Sequence, residues 1–270
     1  MKSPRAQILT VASFLALGLA LAPWVGAFSR PVQAALGKVA LSFTLSGVAV
    51  WALAMAVAAA LGSHEVIAAH PNARDGELSH TAHYWPTPAV FAAAAAVHVA
   101  RLRSGPAVAA LAVAFGALMA GVLWLEWATA DAAERPYPRA RWLLNVADYA
   151  AALLAFMAAL TGDLAPSSVG GLCGFAAALI AVDLLRQPTR TPDSVATYAL
   201  LTGAIVGAAA SRTAGQGIKP VGAALILLLV LYALAGVLQH HLRGRLTWRV
   251  RVEYFGLLAL GTLAILRWVA

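Results

Sequence analysis

The stretch VGAALILLLVLYALAGVL, Val221–Leu238, contains no charged residue and no polar face. A soluble helix needs a polar stripe opposite its apolar one, and this run has none. A bilayer core about 30 Å thick takes about 20 apolar residues as helix, so the run reads as a membrane span. It is one of nine. The others are Ile8–Phe28, Leu36–Leu61, Trp85–Ala100, Pro106–Ala128, Trp142–Thr161, Pro166–Leu185, Val195–Ala210 and Tyr254–Val269. The third and seventh are short, and if either lies along the interface the count falls to eight. Strands are excluded as spans, because backbone in lipid must satisfy its own hydrogen bonds and no period-2 pattern argues for them. The expectation is an all-α fold, a polytopic transmembrane helix bundle of about nine spans. It forms a single integral membrane domain over residues 1–270.

Composition supports this. Of 270 residues, 61% are hydrophobic and 11% charged, against about 25% charged in ordinary soluble domains. The mean hydropathy is +0.79. The apolar run Ile8–Phe28 has 21 residues, longer than the core of about 7–15 in a cleaved signal peptide. It reads as a retained first helix. The net charge of +8 is divided over many short loops, so nucleic acid is not implied as a partner. The partners it does imply are the lipid bilayer and its anionic headgroups. Cys173 is the only cysteine, which excludes an intrachain disulfide and a thiolate metal cluster.

Orientation follows from arginine and lysine. With nine spans, one side receives Lys2, Arg5, Arg74, Arg135, Arg139, Arg141, Arg186, Arg190, Arg243, Arg245, Arg249 and Arg251. The other receives Arg30, Lys38, Arg101, Arg103, Arg212, Lys219 and Arg267. The richer side is inside, so the N-terminus is expected in the cytoplasm and the C-terminus outside. Removing one span reverses every later loop.

Ionisable groups inside a bilayer are costly and mark candidate sites. Glu126, Asn145, Asp148 and Asp183 all fall near the cytoplasmic end in the nine-span count. Asn145 and Asp148 are three apart and share a helix face; Asp183 precedes Arg186 by three and can pair with it. With the nearby Arg135, Arg139 and Arg141, these residues form an expected in-membrane polar cluster. Two roles fit it: fixing helix register through ion pairs, or binding a headgroup, an ion or a proton.

The longest polar loop, residues 63–84, holds His64, His70, His80 and His83. These are candidate metal ligands, but no HExxH or other firm spacing joins them. A solvated loop explains them as well. Haem needs axial histidines on facing helices, and only His98 lies clearly within a span, so no cofactor is implied. Arg243, Arg245, Arg249 and Arg251 form a basic connector suited to lipid phosphates. There is no P-loop, no GxSxG and no dinucleotide fingerprint, so no catalytic residue is named.

HYWPTPAV, LWLEWATAD, RWLLNVADYAAALLAF and HHLRGRLTWRVRVEYFGLLALG, taken together, resemble an uncharacterised bacterial multi-span family, domain of unknown function 5656. The resemblance covers most of the chain after about residue 80. It implies a polytopic inner-membrane protein without an assigned activity, and it carries no site residues over. Three functional readings stand: a structural or accessory envelope component, a small-solute, proton or lipid transporter, and a membrane enzyme with a metal at the histidine loop. The last predicts about one metal per chain after purification without chelators. Replacing His80 and His83 by alanine removes that metal, and metal analysis of both proteins checks it.

Overall fold

The computed structural model describes residues 4–36, 39–71, 81–130, 137–186 and 192–269. Among the described residues are nine α-helices: α1 Pro4–Gly26, α2 Gly47–Ala68, α3 Pro86–Ala100, α4 Gly105–Ala128, α5 Tyr137–Leu160, α6 Pro166–Leu185, α7 Pro192–Ala214, α8 Pro220–Leu242 and α9 Trp248–Val269. Each corresponds to one expected span. Seven of them, α1, α2 and α4 to α8, are long and apolar enough to cross a membrane. α3 has 15 residues, about 22 Å at helical rise and short of the hydrocarbon thickness. α9 has 22 residues but carries Arg249, Arg251, Glu253 and Arg267. Large apolar side chains such as Phe14, Leu53, Val113, Phe175 and Leu200 face outward. A soluble monomer rarely exposes so much contiguous apolar surface. The protein is a helical membrane bundle.

Proline sits in the first turn of α3, α4, α6 and α8. There its missing N–H is not needed and its fixed φ suits the helix. The chain divides into two compact units, Met1–Ala140 and Arg141–Ala270.

In the first unit, α1 buries Ile8, Ala12, Leu15, Leu19 and Ala22. Those positions alternate steps of four and three, the seam of a helix packed in knobs-into-holes fashion. Its neighbours meet it through small residues: Gly62 of α2 lies against Val11, and Gly116 of α4 against Ala12 and Ala16.

The second expected span began at Leu36, and here the structure corrects the boundary. Leu36 and residues 39–46 are not helical. β1, Ser29–Leu36, pairs antiparallel with β2, Val39–Ser46, with Ser29 opposite Ser46 and Leu36 opposite Val39. The hairpin connects α1 to α2 and does not replace a helix as a span. Its second strand reads VALSFTLS, with Leu41, Phe43 and Leu45 alternating against Ser42, Thr44 and Ser46. That is the period of a strand. α2 then starts at Gly47, whose N–H donates to the Phe28 carbonyl at 2.6 Å. A Cβ at Gly47 would collide with that same carbonyl, so only glycine allows the close return. At its other end α2 runs on to Ala68 and takes Ser63 and His64 into the helix, out of the expected loop.

In the second unit, α6 and α7 touch backbone to backbone. A Cβ built on Gly174 would lie 2.7 Å from the Gly203 carbonyl oxygen, and one on Gly203 would lie 2.6 Å from that of Gly174. Gly170 and Gly207 repeat the arrangement one turn away, at 2.7 and 2.8 Å. Helices in lipid gain little from apolar burial against each other, so this close packing is what holds the pair. Cys173 is buried beside it. Gly203→Ala forces the two backbones apart and is expected to cost about 1–3 kcal/mol. Gly171→Ala, where the added methyl meets nothing within 4 Å, leaves stability unchanged. Thermal unfolding of both variants in mild detergent checks the contrast.

Candidate functional site: an ion cluster where α5 begins and α6 ends

Arg141, Asn145 and Asp148 stand on α5 at spacings of four and three, which puts them on one face. Asp183 and Arg186 stand at the end of α6, three apart. Residues 161–165 form the short connection between α5 and α6, so the start of α5 meets the end of α6.

Asp183 is fully buried. Arg141 donates from Nη1 to Asp183 Oδ1 at 3.0 Å and from Nη2 to the Asp183 backbone carbonyl. Arg186 Nη2 lies 3.3 Å from the same Oδ1. One guanidinium therefore holds both the side chain and the main chain of Asp183, and a second flanks it. Asp148 on α5 is also fully buried. The Asn145 Oδ1 is buried and finds no hydrogen-bond partner among the described residues.

Further groups close the same end of this unit. Gln239 of α8 donates from Nε2 to the Leu184 carbonyl at 2.8 Å, tying α8 to the last turn of α6. Tyr149, Tyr232 and Tyr254 follow each other with ring centroids 5.7 and 5.5 Å apart. His240 lies 5.8 Å from Tyr254. Its Nδ1 is 2.9 Å from the Gly236 carbonyl, and a carbonyl only accepts, so Nδ1 carries a hydrogen.

The remaining carboxylate and histidine candidates belong to the first unit. Glu126 is fully buried in the first unit, at the end of α4, and its backbone carbonyl accepts from the Thr129 hydroxyl at 3.0 Å. His64 Nδ1 is 2.7 Å from the Thr81 hydroxyl oxygen, and its ring meets Trp85 edge-on at 6.0 Å. His70 is buried against Trp127, with centroids 4.7 Å apart. His83 lies beside Tyr84 at 4.3 Å. His80 lies outside the described residues. Among the described residues no three His, Cys, Asp or Glu side chains gather at metal-binding distance. The Trp85 and Trp127 rings pack against His64 and His70.

Arg141 was named from sequence only as one of three nearby arginines, and Gln239 was not named. A signal existed for Arg141: it precedes Asn145 by four and Asp148 by seven, so it completes their helix face. Nothing in the local sequence marks Gln239, since its partner is a backbone carbonyl 55 residues away.

A family model described as protein of unknown function (DUF5656) matches residues 29–269. The match begins well before residue 80, where the sequence resemblance began. No curated protein and no solved structure matches the chain.

Asp183→Leu leaves Arg141 and Arg186 in a nearly closed site without their carboxylate. Breaking a buried pair by removing one partner costs about 3–5 kcal/mol. The thermal midpoint in mild detergent is expected to fall accordingly. Arg186→Leu, which keeps both Arg141 contacts, causes a smaller fall in the same measurement.

Proposed function

Because the chain belongs to the protein family of unknown function DUF5656, we propose its role from its own ion cluster: a structural or accessory component of the bacterial inner membrane that acts without a catalytic centre. Asp183 carries this reading. Its carboxylate is committed to Arg141 and Arg186, and its backbone carbonyl to Arg141 as well. A buried charge held by two guanidinium groups is satisfied as an ion pair, the ordinary way such a group persists in a membrane. Held this way, it sets the register of α5 against α6. The excess of arginine around this end supports placing it on the cytoplasmic side.

A second reading, proton-coupled transport, draws on Asp148 and Asp183, two fully buried carboxyl groups on α5 and α6. One experiment separates the two. The full chain and its Asp148→Asn variant are purified and reconstituted into liposomes carrying a pH-sensitive dye. The structural reading expects no protein-dependent proton flux and a reduced folded yield for the variant. Flux in the unaltered protein that disappears in an equally well-folded variant would replace it with transport.

A further inference from the structure

α8 ends at Leu242 and α9 begins at Trp248. The turn between them pivots on Gly244, whose φ of +67° favours glycine. Arg243 and Arg245 flank that glycine, and Arg249 and Arg251 follow in the first turns of α9. All four side chains are exposed. Among the described residues none of them lies within ion-pair distance of a carboxylate, including Glu253 of the same helix. Arg141 and Arg186 differ, since their charge meets Asp183. The Gln239 contact with Leu184 puts this corner at the same end of the unit as that ion cluster. That end therefore carries four unneutralised cations.

Directly beneath the arginines the surface becomes apolar. Trp248 is 75% exposed, and Val252, Phe255, Leu257 and Leu260 stand exposed along α9. A cationic tier above an indole and an exposed aliphatic helix fits an amphiphile with an anionic head. A free anion would use only the upper tier. Nucleic acid would need a basic surface without the apolar wall. We propose that the α8–α9 corner binds anionic phospholipid, with the arginines taking the phosphates and the outer face of α9 taking the acyl chains. Arg249 and Arg251 are two apart and do not share a helix face, so they reach separate headgroups. The corner thus takes more than one lipid. This inference does not depend on the role of Asp183.

The test uses the purified full chain in a neutral detergent. Its melting midpoint is measured with added phosphatidylglycerol, phosphatidylcholine or inorganic phosphate. Phosphatidylglycerol is expected to raise the midpoint, and the other two are not. The rise shrinks at high salt, because exposed charges are screened. Each arginine replaced by glutamine is expected to weaken phosphatidylglycerol binding by about fivefold. Arg267→Gln, at the far end of α9, keeps the full rise. If the quadruple variant Arg243→Gln/Arg245→Gln/Arg249→Gln/Arg251→Gln does not fold, the pairs Arg243→Gln/Arg245→Gln and Arg249→Gln/Arg251→Gln are read separately. An equal rise with phosphatidylcholine, an equal rise with phosphate, no rise at all, or a full rise in the arginine variants would each overturn the proposal.

Discussion

Backbone amides in hydrocarbon have no water to bond, so every one must find its partner inside the protein. The rest of this structure depends on that constraint. It makes helices of the apolar runs and leaves the paired strands β1 and β2 as a connector. It also decides where proline is tolerated: at helix starts, where an N–H is not needed. Once the helices form, apolar burial drives their association only weakly, because lipid is as apolar as leucine. Two other interactions must then hold them, and the second unit shows both.

The first is close contact. Gly170, Gly174, Gly203 and Gly207 let α6 and α7 approach until backbone meets backbone, where many small dispersion terms add up. The second is charge. Asp183 carries a cost that only good pairing offsets, and it obtains that pairing from Arg141 of α5 and Arg186 of its own helix. The glycine contact joins α6 to α7 at matched positions. The ion pair joins α5 to α6 through a defined fork geometry.

Much of this was legible along the chain, and the gaps have physical causes. Helices are local, so nine apolar runs read out as nine helices among the described residues. The boundary of α2 was misplaced because a helix-length window averages over VALSFTLS and hides its alternation. α7 looked short because Ser211 and Arg212 suggested a loop, yet the helix continues to Ala214. Asp148 and Asp183 could be singled out because polarity inside a span is costly wherever it occurs. Their partners could not be ranked, since Arg135, Arg139 and Arg141 are equally close in sequence and only helical phase distinguishes Arg141. The histidines could not be placed from sequence. Their number suggested a site, whereas His64 and His70 contact Thr81, Trp85 and Trp127.

The sequence by itself determined that this chain is a membrane protein built of helices, roughly where each helix lies and which carboxylates are expensive. Those properties come from hydropathy and from spacing along one segment. Only the tertiary structure decided that Arg141 holds Asp183, that Gln239 reaches Leu184, and that the arginines of the α8–α9 corner meet no acid among the described residues. Such pairings join residues tens of positions apart. They depend on the rotation and depth of each helix against its neighbours, which no single segment records.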